Sequence, residues 1–329
     1  MDISKFPAEA YIQSANPELG SSCPVVIYAN NEQFIMKNQY SEEHATVLDA
    51  CFFQELLCSF LALKLDIPTP EFVVLQIDKD FLDNNPELRF QHKIKEGCYF
   101  ATKIIPNVEN NLLKNFVLAK QNGQPRIMYS WNKFFKNIKN EIAIPRIITF
   151  DMLISNYDRY GNEGNILVAK NENEERHIYA IDHGHAFFGP FYKNQLIEKK
   201  KLLSSNNDPN NFIPFHLKLL LDTGQNQLNL GPIFSGLEQN IHFESNPFKD
   251  IIYDIENIND YEIVEMLKDI PEEWVSLGDS QKNDYLNFLS RQKLLVRHII
   301  DQLALRDAFT NHTGGVLQWT TKGESSGTV

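Results

Sequence analysis

Residues 150–168, FDMLISNYDRYGNEGNILV, run from an apolar helix-like stretch through a polar cluster into a strand-like Asn-Ile-Leu-Val. A turn accounts for Gly161 and Gly164, but not for Asp158, Arg159, Asn162 and Asn165 between two segments that read as buried. Further on, HIYAIDHGHAFF sets Asp182 after an apolar strand and before His-Gly. Two strands thus flank a tight polar turn, and each delivers an oxygen ligand at its end. Phosphoryl transfer asks for such a set: a carboxylate to orient the attacking hydroxyl, and an Asn and an Asp to hold magnesium ions that bridge the phosphates. Asp158, Asn165 and Asp182 match those roles in chain order. Lys37 closes the strand QFIMK, where an ammonium could reach nucleotide phosphates. Glu55 lies on the apolar stripe of the following helix, in line with Leu48, Cys51, Phe52, Cys58 and Ala62. A buried carboxylate is costly without a cation, and Lys37 is the obvious one.

The elements that must hold these residues can be read in outline. CPVVIYANNEQFIMKN (23–38) predicts a hairpin turning at Ala-Asn-Asn-Glu. From Ser41, SEEHATVLDACFFQELLCSFLALKLDIPTPE reads as a long helix with a Ser cap and early carboxylates, stopped by Pro68 and Pro70. EFVVLQI and GCYFATKII (97–105) read as strands, separated by a charged excursion over 78–96 without clear periodicity. Beyond Pro106-Asn107 the chain turns mostly helical, most clearly in PRIITFDMLISN, PFHLKLLLD and DYLNFLSRQKLLVRHIIDQLAL. In the last of these the stripe of Tyr285, Leu289, Val296, Ile299, Ile300 and Leu303 is core packing. The expected fold class is α+β, with a β-rich part carrying one long helix over 1–105 and a larger, mainly helical part over 106–309. The polar, Gly-containing segment 310–329 is expected to be disordered.

Composition narrows the function classes. The 329 residues are 43% hydrophobic, enough for a sizeable core, and carry a formal net charge of −12. That balance argues against direct nucleic-acid binding, which needs clustered Lys and Arg. The one compact basic run, Lys199 to Lys201, reads as a solvated loop face. MDISKFPAEAY lacks the pattern of a secretory signal, and no apolar run approaches the roughly 18 residues of a membrane span, so a cytoplasmic location is expected. Cys23, Cys51, Cys58 and Cys98 show no C-x-x-C spacing and read as reduced packing thiols. His183 and His185 lack a third ligand at a spacing familiar for zinc.

Taken together, GSSCPVVIYANNEQFIMK, QELLCSFLALKLDIPTPE, FDMLISNYDRYGNEGNILV, IDHGHAF, and IPEEWVSL with FLSRQKLLVRHII resemble the HipA-like kinases, in particular their short single-domain branch. The resemblance covers roughly residues 10–305. It implies a bilobal protein-kinase-like fold, with residues 1–105 as the N-lobe that covers the nucleotide and 106–309 as the C-lobe with the catalytic loop, metal site and substrate side. It implies Asp158 as the catalytic base, Asn165 and Asp182 as metal ligands, Lys37 as the phosphate-contacting lysine and Glu55 as its helix partner. The stretch around Phe100 to Ile104, with Thr102, Lys103 and Ile104, becomes the hinge whose backbone contacts adenine, and Gly20, Ser21 and Ser22 the turn over the phosphates. Two positions depart from the pattern. The metal-binding Asn commonly stands five residues after the Asp, where this chain has Glu163; Asn165 is chosen because Asn-Ile-Leu-Val restores the Asn-then-strand pattern, with Asn162 and Glu163 as alternatives. Tyr160 stands where many relatives have His.

The function expected from the resemblance is an ATP- and Mg2+-dependent Ser/Thr protein kinase, a transferase, with autophosphorylation at Ser21 or Ser22. Its alternatives are a nucleotide-binding pseudokinase-type regulatory module and a lipid or small-molecule kinase. The expected partner is a protein substrate of unknown identity, and a separately encoded inhibitor or antitoxin stays open; no membrane partner is expected.

Overall fold

In a computed structural model of the chain, residues 3–13, 24–41, 45–109, 131–161, 163–220 and 230–319 are described. The first half supplies β1 (Lys5–Pro7), β2 (Ala10–Ile12), β3 (Val25–Ala29), β4 (Glu32–Met36), a two-residue pair β5 (Tyr40–Ser41) and β6 (Thr46–Val47), then β7 (Phe72–Ile77) and β8 (Gly97–Lys103). Six of them make one sheet in the order β1-β7-β8-β4-β3-β2, antiparallel throughout except for β1 against β7. The β3–β4 hairpin turns through Asn30 and Asn31 at φ 47° and 63°, a left-handed conformation that Asn tolerates better than most residues.

The helix expected from Ser41 starts later. Ser41 sits in β5, opposite Thr46, and caps no helix; α1 runs Cys51–Lys64. The β-branched Thr46 and Val47 favour the short ladder, and the predominantly apolar stretch begins only at Cys51. Every residue of α1 from Cys51 to Ala62 is buried, including the polar Gln54, Glu55 and Ser59, so the helix is covered on all sides. Phe52 and Phe60 meet Tyr99 and Phe72 of the sheet edge-on, while Phe53 packs on Tyr285 of the helical half. The helix carrying Glu55 is therefore wedged between sheet and helices.

The excursion over 78–96 is not irregular. It contains α2 (Lys79–Asn84), whose Asp78 cap accepts from the Phe81 N–H at 2.7 Å, and α3 (Pro86–Phe90), opened by proline at its first position. Phe81, Leu82 and Leu88 from these helices close a second core with Val73, Leu75 and Ile77 of β7, whereas Val74 faces the main core. β7 is apolar on both faces because both are covered.

The second half contributes α4 (Trp131–Phe134), α5 (Ala143–Ile154), the hairpin of β9 (Ile166–Lys170) and β10 (Arg176–Ala180), α6 (Leu196–Leu203), α7 (Pro209–Leu219), α8 (Pro232–Glu238), α9 (Lys249–Glu256), α10 (Asp260–Lys268) and the long α11 (Gly278–Leu305). The molecule is α+β, with a strand-rich first half and a helical second half. The basic run is not a solvated loop: it lies in α6, and Lys199 is buried. Residues 310–319 of the segment expected to be disordered are anchored, Thr310 to Glu238 at 2.7 Å and Trp319 to Asp301 at 3.0 Å, while 320–329 lie outside the described residues. No helix among the described residues is long and apolar enough to cross a membrane.

Candidate active site

Lys37 directly follows β4, and its N–H donates to Phe100 O on β8 at 2.9 Å, so the sheet fixes its backbone. Its ammonium lies 2.8 Å from Asp182 Oδ2 and 3.4 Å from Glu55 Oε1. Burial works against that ammonium, but Asp182 and Glu55 outweigh it and hold its pKa above the ordinary lysine range. Glu55 is buried, and burial outweighs Lys37 in pushing its carboxyl up. Its Oε2 accepts the His183 N–H at 3.0 Å, which ties α1 to the residue after Asp182. Burial opposes ionisation of Asp182 as well, yet the adjacent Lys37 wins and lowers its pKa. Asp182 itself adopts φ 60°, a conformation costly for a side chain with a Cβ, just past the end of β10.

Across the hairpin, Asn165 Nδ2 donates to Asp158 Oδ2 at 2.7 Å. With Nδ2 committed, the acceptor Oδ1 is the atom of Asn165 with the chemistry of a hard-cation ligand. The Ile181 N–H donates to Asn165 O at 3.2 Å, so the residues before Ile166 and before Asp182 are held side by side. Gly184 follows because nothing larger fits: a Cβ there would come 2.5 Å from Cys51 Sγ and 3.4 Å from Glu55 Oε1.

The hub of this arrangement is Arg159. It does not pair with Asp158 in the turn. Its Nε donates to both oxygens of Asp151 on α5, at 2.9 and 2.8 Å, and the two side chains are fully buried. Its Nη1 donates to the carbonyls of Asn165 and, at 2.7 Å, of Ile181, and its Nη2 to His183 Nδ1 at 3.0 Å. One guanidinium thus joins the loop of Asp158, the start of β9 and the end of β10. Burial, followed by the charge of Arg159, keeps His183 neutral, and its Nδ1 is an acceptor engaged by that arginine. Sequence reasoning missed Asp151, although a carboxylate inside the apolar ITFDMLI demands a buried cation.

Other sequence-derived positions fall as follows. Thr102 and Lys103 are in β8, paired with Phe72 and Ile35 and with Phe34. The N–H groups of Lys103 and Ile104 donate to Glu71 O at 2.8 Å and Gln33 O at 3.1 Å, and Lys103 Nζ pairs with Glu32 at 2.6 Å. Residues 104–109 then cross to β9, where the Glu109 N–H donates to Val168 O and the Lys170 N–H to Asn107 O. The ring of Tyr160 is buried edge-on against Phe234, so this departure from the family pattern serves packing. Gly20, Ser21, Ser22, Asn162 and the side chain of Glu163 lie outside the described residues.

The donors suit magnesium. Magnesium is commonly held by one or two carboxylates with phosphates and water completing its shell, and Asp182 with Asn165 is a sparse oxygen set of that kind.

No curated protein matches the chain. Among solved structures, the crystal structure of the Helicobacter pylori proinflammatory kinase CtkA aligns over 89% of this chain and 98% of its own, at 15% identity and a TM-score of 0.39. A family model described as HipA-like kinase matches residues 26–211, more than half of the sequence, including Lys37, Glu55, Asp158, Asn165 and Asp182. The chain belongs to the HipA-like kinase family.

Proposed function

We propose that this phosphotransferase passes the γ-phosphoryl group of ATP, with Mg2+, to a Ser or Thr hydroxyl of a protein. The observation that carries the reading is Lys37 Nζ held between Asp182 and Glu55, with the Asp158–Asn165 pair on the other side of the same hairpin. When bound, ATP and magnesium supply the transferable group and the neutralising charge; the chain supplies position. Lys37 offers an ammonium to the phosphates, and Glu55 keeps it aimed. Asp182 and Asn165 hold the metal, and Asp158 accepts the proton of the attacking hydroxyl. The N–H groups of Lys103 and Ile104 are already engaged with Glu71 O and Gln33 O, so an adenine contact by this stretch falls to its other backbone groups. Autophosphorylation at Ser21 or Ser22 would place about −1.5 to −2 charge beside the triphosphate and repel ATP.

Incubation with γ-labelled and α-labelled ATP, magnesium and a cell lysate tests the reading. Labelled Ser or Thr from the γ-label is expected. Transfer of the α-label would make the protein an adenylyl transferase, and no protein labelling at all would remove the protein-kinase reading.

A further inference from the structure

The stretch after Asp182 carries the densest backbone strain around the site. Phe187, Phe188 and Gly189 stand at φ 53°, 68° and 118°. Two bulky L-residues in the left-handed region are strained and persist only where the surroundings over-determine them. Rings fix part of this turn: Phe187 lies edge-on to Tyr285 and Phe288, and Phe188 to Phe288. Its carbonyls are fixed by a lysine. Lys199 on α6 reaches under the turn and donates to Phe187 O at 2.6 Å and Gly189 O at 2.7 Å. Gly189 O also accepts from Gln54 Nε2 at 3.2 Å, and Gln54 precedes Glu55 on α1. Beyond the turn, Pro190 O accepts the Ala50 N–H at 2.9 Å, and Asp49 accepts the N–H groups of Tyr192 and Lys193. The segment from Asp182 is thereby fastened to the start of α1.

Lys199 is 2% exposed, while Lys200 and Lys201 beside it are exposed, and no carboxylate pairs with it among the described residues. The charge of Asp49 acts on it from beyond ion-pair distance, but burial outweighs that attraction, so this is a costly amine to bury. Burial brings Lys199 down to about 7, but a neutral amine keeps two N–H donors, so both carbonyl bonds survive loss of the proton. What the amine touches is the strained turn, whose Phe187 and Gly189 carbonyls would lose this donor without it. We propose that Lys199 is a positioning residue of the phosphotransfer site, holding the Phe187 and Gly189 carbonyls so that the segment from Asp182 stays registered against α1. This rests on the kinase reading above, and it assigns to Lys199 no contact with nucleotide or metal.

The test compares Lys199→Met with Lys201→Met, an exposed control on the same helix, by thermal unfolding, steady-state kinetics and hydrogen exchange of peptides spanning 182–193. Lys199→Met is expected to stay folded at a somewhat lower unfolding temperature, because two carbonyls lose a donor, to lose about a hundredfold in kcat with KM for ATP little changed, and to exchange about tenfold faster over 182–193. Lys201→Met should match the parent. A folded Lys199→Met with parental kcat and exchange overturns the proposal, as does a lower unfolding temperature with parental kcat, the signature of a merely structural lysine. If Lys199→Met does not fold, Gln54→Leu decides by the same readouts: faster exchange over 182–193 supports the clamp, and parental exchange removes it. A parent protein without phosphoryl transfer would defeat the kinase reading, while the exchange comparison would still decide the clamp.

Discussion

At the scale of single residues, the candidate site is a set of charges in which each member answers for another. Glu55 would be an uncompensated buried carboxylate without Lys37, and Lys37 in turn is held to Asp182. Replacing Lys37 with Met therefore disturbs more than a phosphate contact. It should lower kcat by about 10²–10³ and also cost stability, because Glu55 loses the cation that opposes its desolvation. Melting curves and kinetics on the same preparation check this, and a variant with parental stability would contradict the ion pair. Asn165 is fixed twice, by its side chain on Asp158 and by its carbonyl on Arg159. Asn165→Ala should raise the magnesium needed for half-maximal activity by about tenfold, and Asn162→Ala should not. If a magnesium titration finds Asn162 or Glu163 the sensitive position, the loop assignment is shifted. The local pattern drew attention to Lys37 and Asp182 just past strands, to Glu55 on a helix stripe and to Asp158 in the polar loop before β9, and the structure brings Lys37, Glu55 and Asp182 within ion-pair distance. Lys199 and Arg159 were not legible. A Lys-Lys-Lys run reads as solvated until carbonyls 12 and 10 residues upstream turn towards it, and Arg159 reads as a turn charge until Asp151 is seen facing it.

At the scale of elements, the site depends on how closely α1 approaches the end of β10. Gly184 against Cys51 marks the closest point. Gly184→Ala should push α1 and Asp182 apart, lowering both the melting temperature and kcat. Cys51→Ala in the same chain removes the offending sulfur and should restore part of each. Equal defects in the single and double variants would show that the contact is not what makes the glycine necessary. Strands and long helices were legible from their periods of two and 3.6. The start of α1 was misread because Ser41 with the Glu residues after it imitates a cap, while the choice of ladder over helix was made by pairing with Thr46. The helices over 79–90 were hidden by their shortness: six and five residues show less than two turns of periodicity, and their apolar side chains make sense only once β7 is apolar on both faces.

For the whole molecule, two cores join at the sheet, and the helical half is stapled to it away from the 104–109 connection. Glu273 accepts the Cys98 N–H, the Trp274 indole donates to Cys98 O at 3.0 Å, and the Trp274 ring packs on Phe52. Inside the helical half, His216 is fully buried, bonded to Tyr157 OH at 2.8 Å, and burial lowers its pKa from 6.5 to about 3. The unfolded chain binds this proton at higher pH than the folded one, so the stability conferred is present above about pH 6.5 and is lost as pH falls towards 3. His216→Phe should move the acid-unfolding midpoint to lower pH, as followed by circular dichroism, and an unmoved midpoint would assign acid lability elsewhere. On the proposed reading, Asp158 is the base of a phosphoryl-transfer site assembled around Lys37, Glu55, Asn165 and Asp182. The most direct measurement is the rate of γ-phosphoryl transfer to protein by purified wild type and Asp158→Ala at saturating ATP and magnesium, with ATP binding measured on both. Transfer by wild type, a loss of about 10³ or more in Asp158→Ala, and nearly unchanged ATP affinity are expected. Equal rates in the two proteins would contradict that reading.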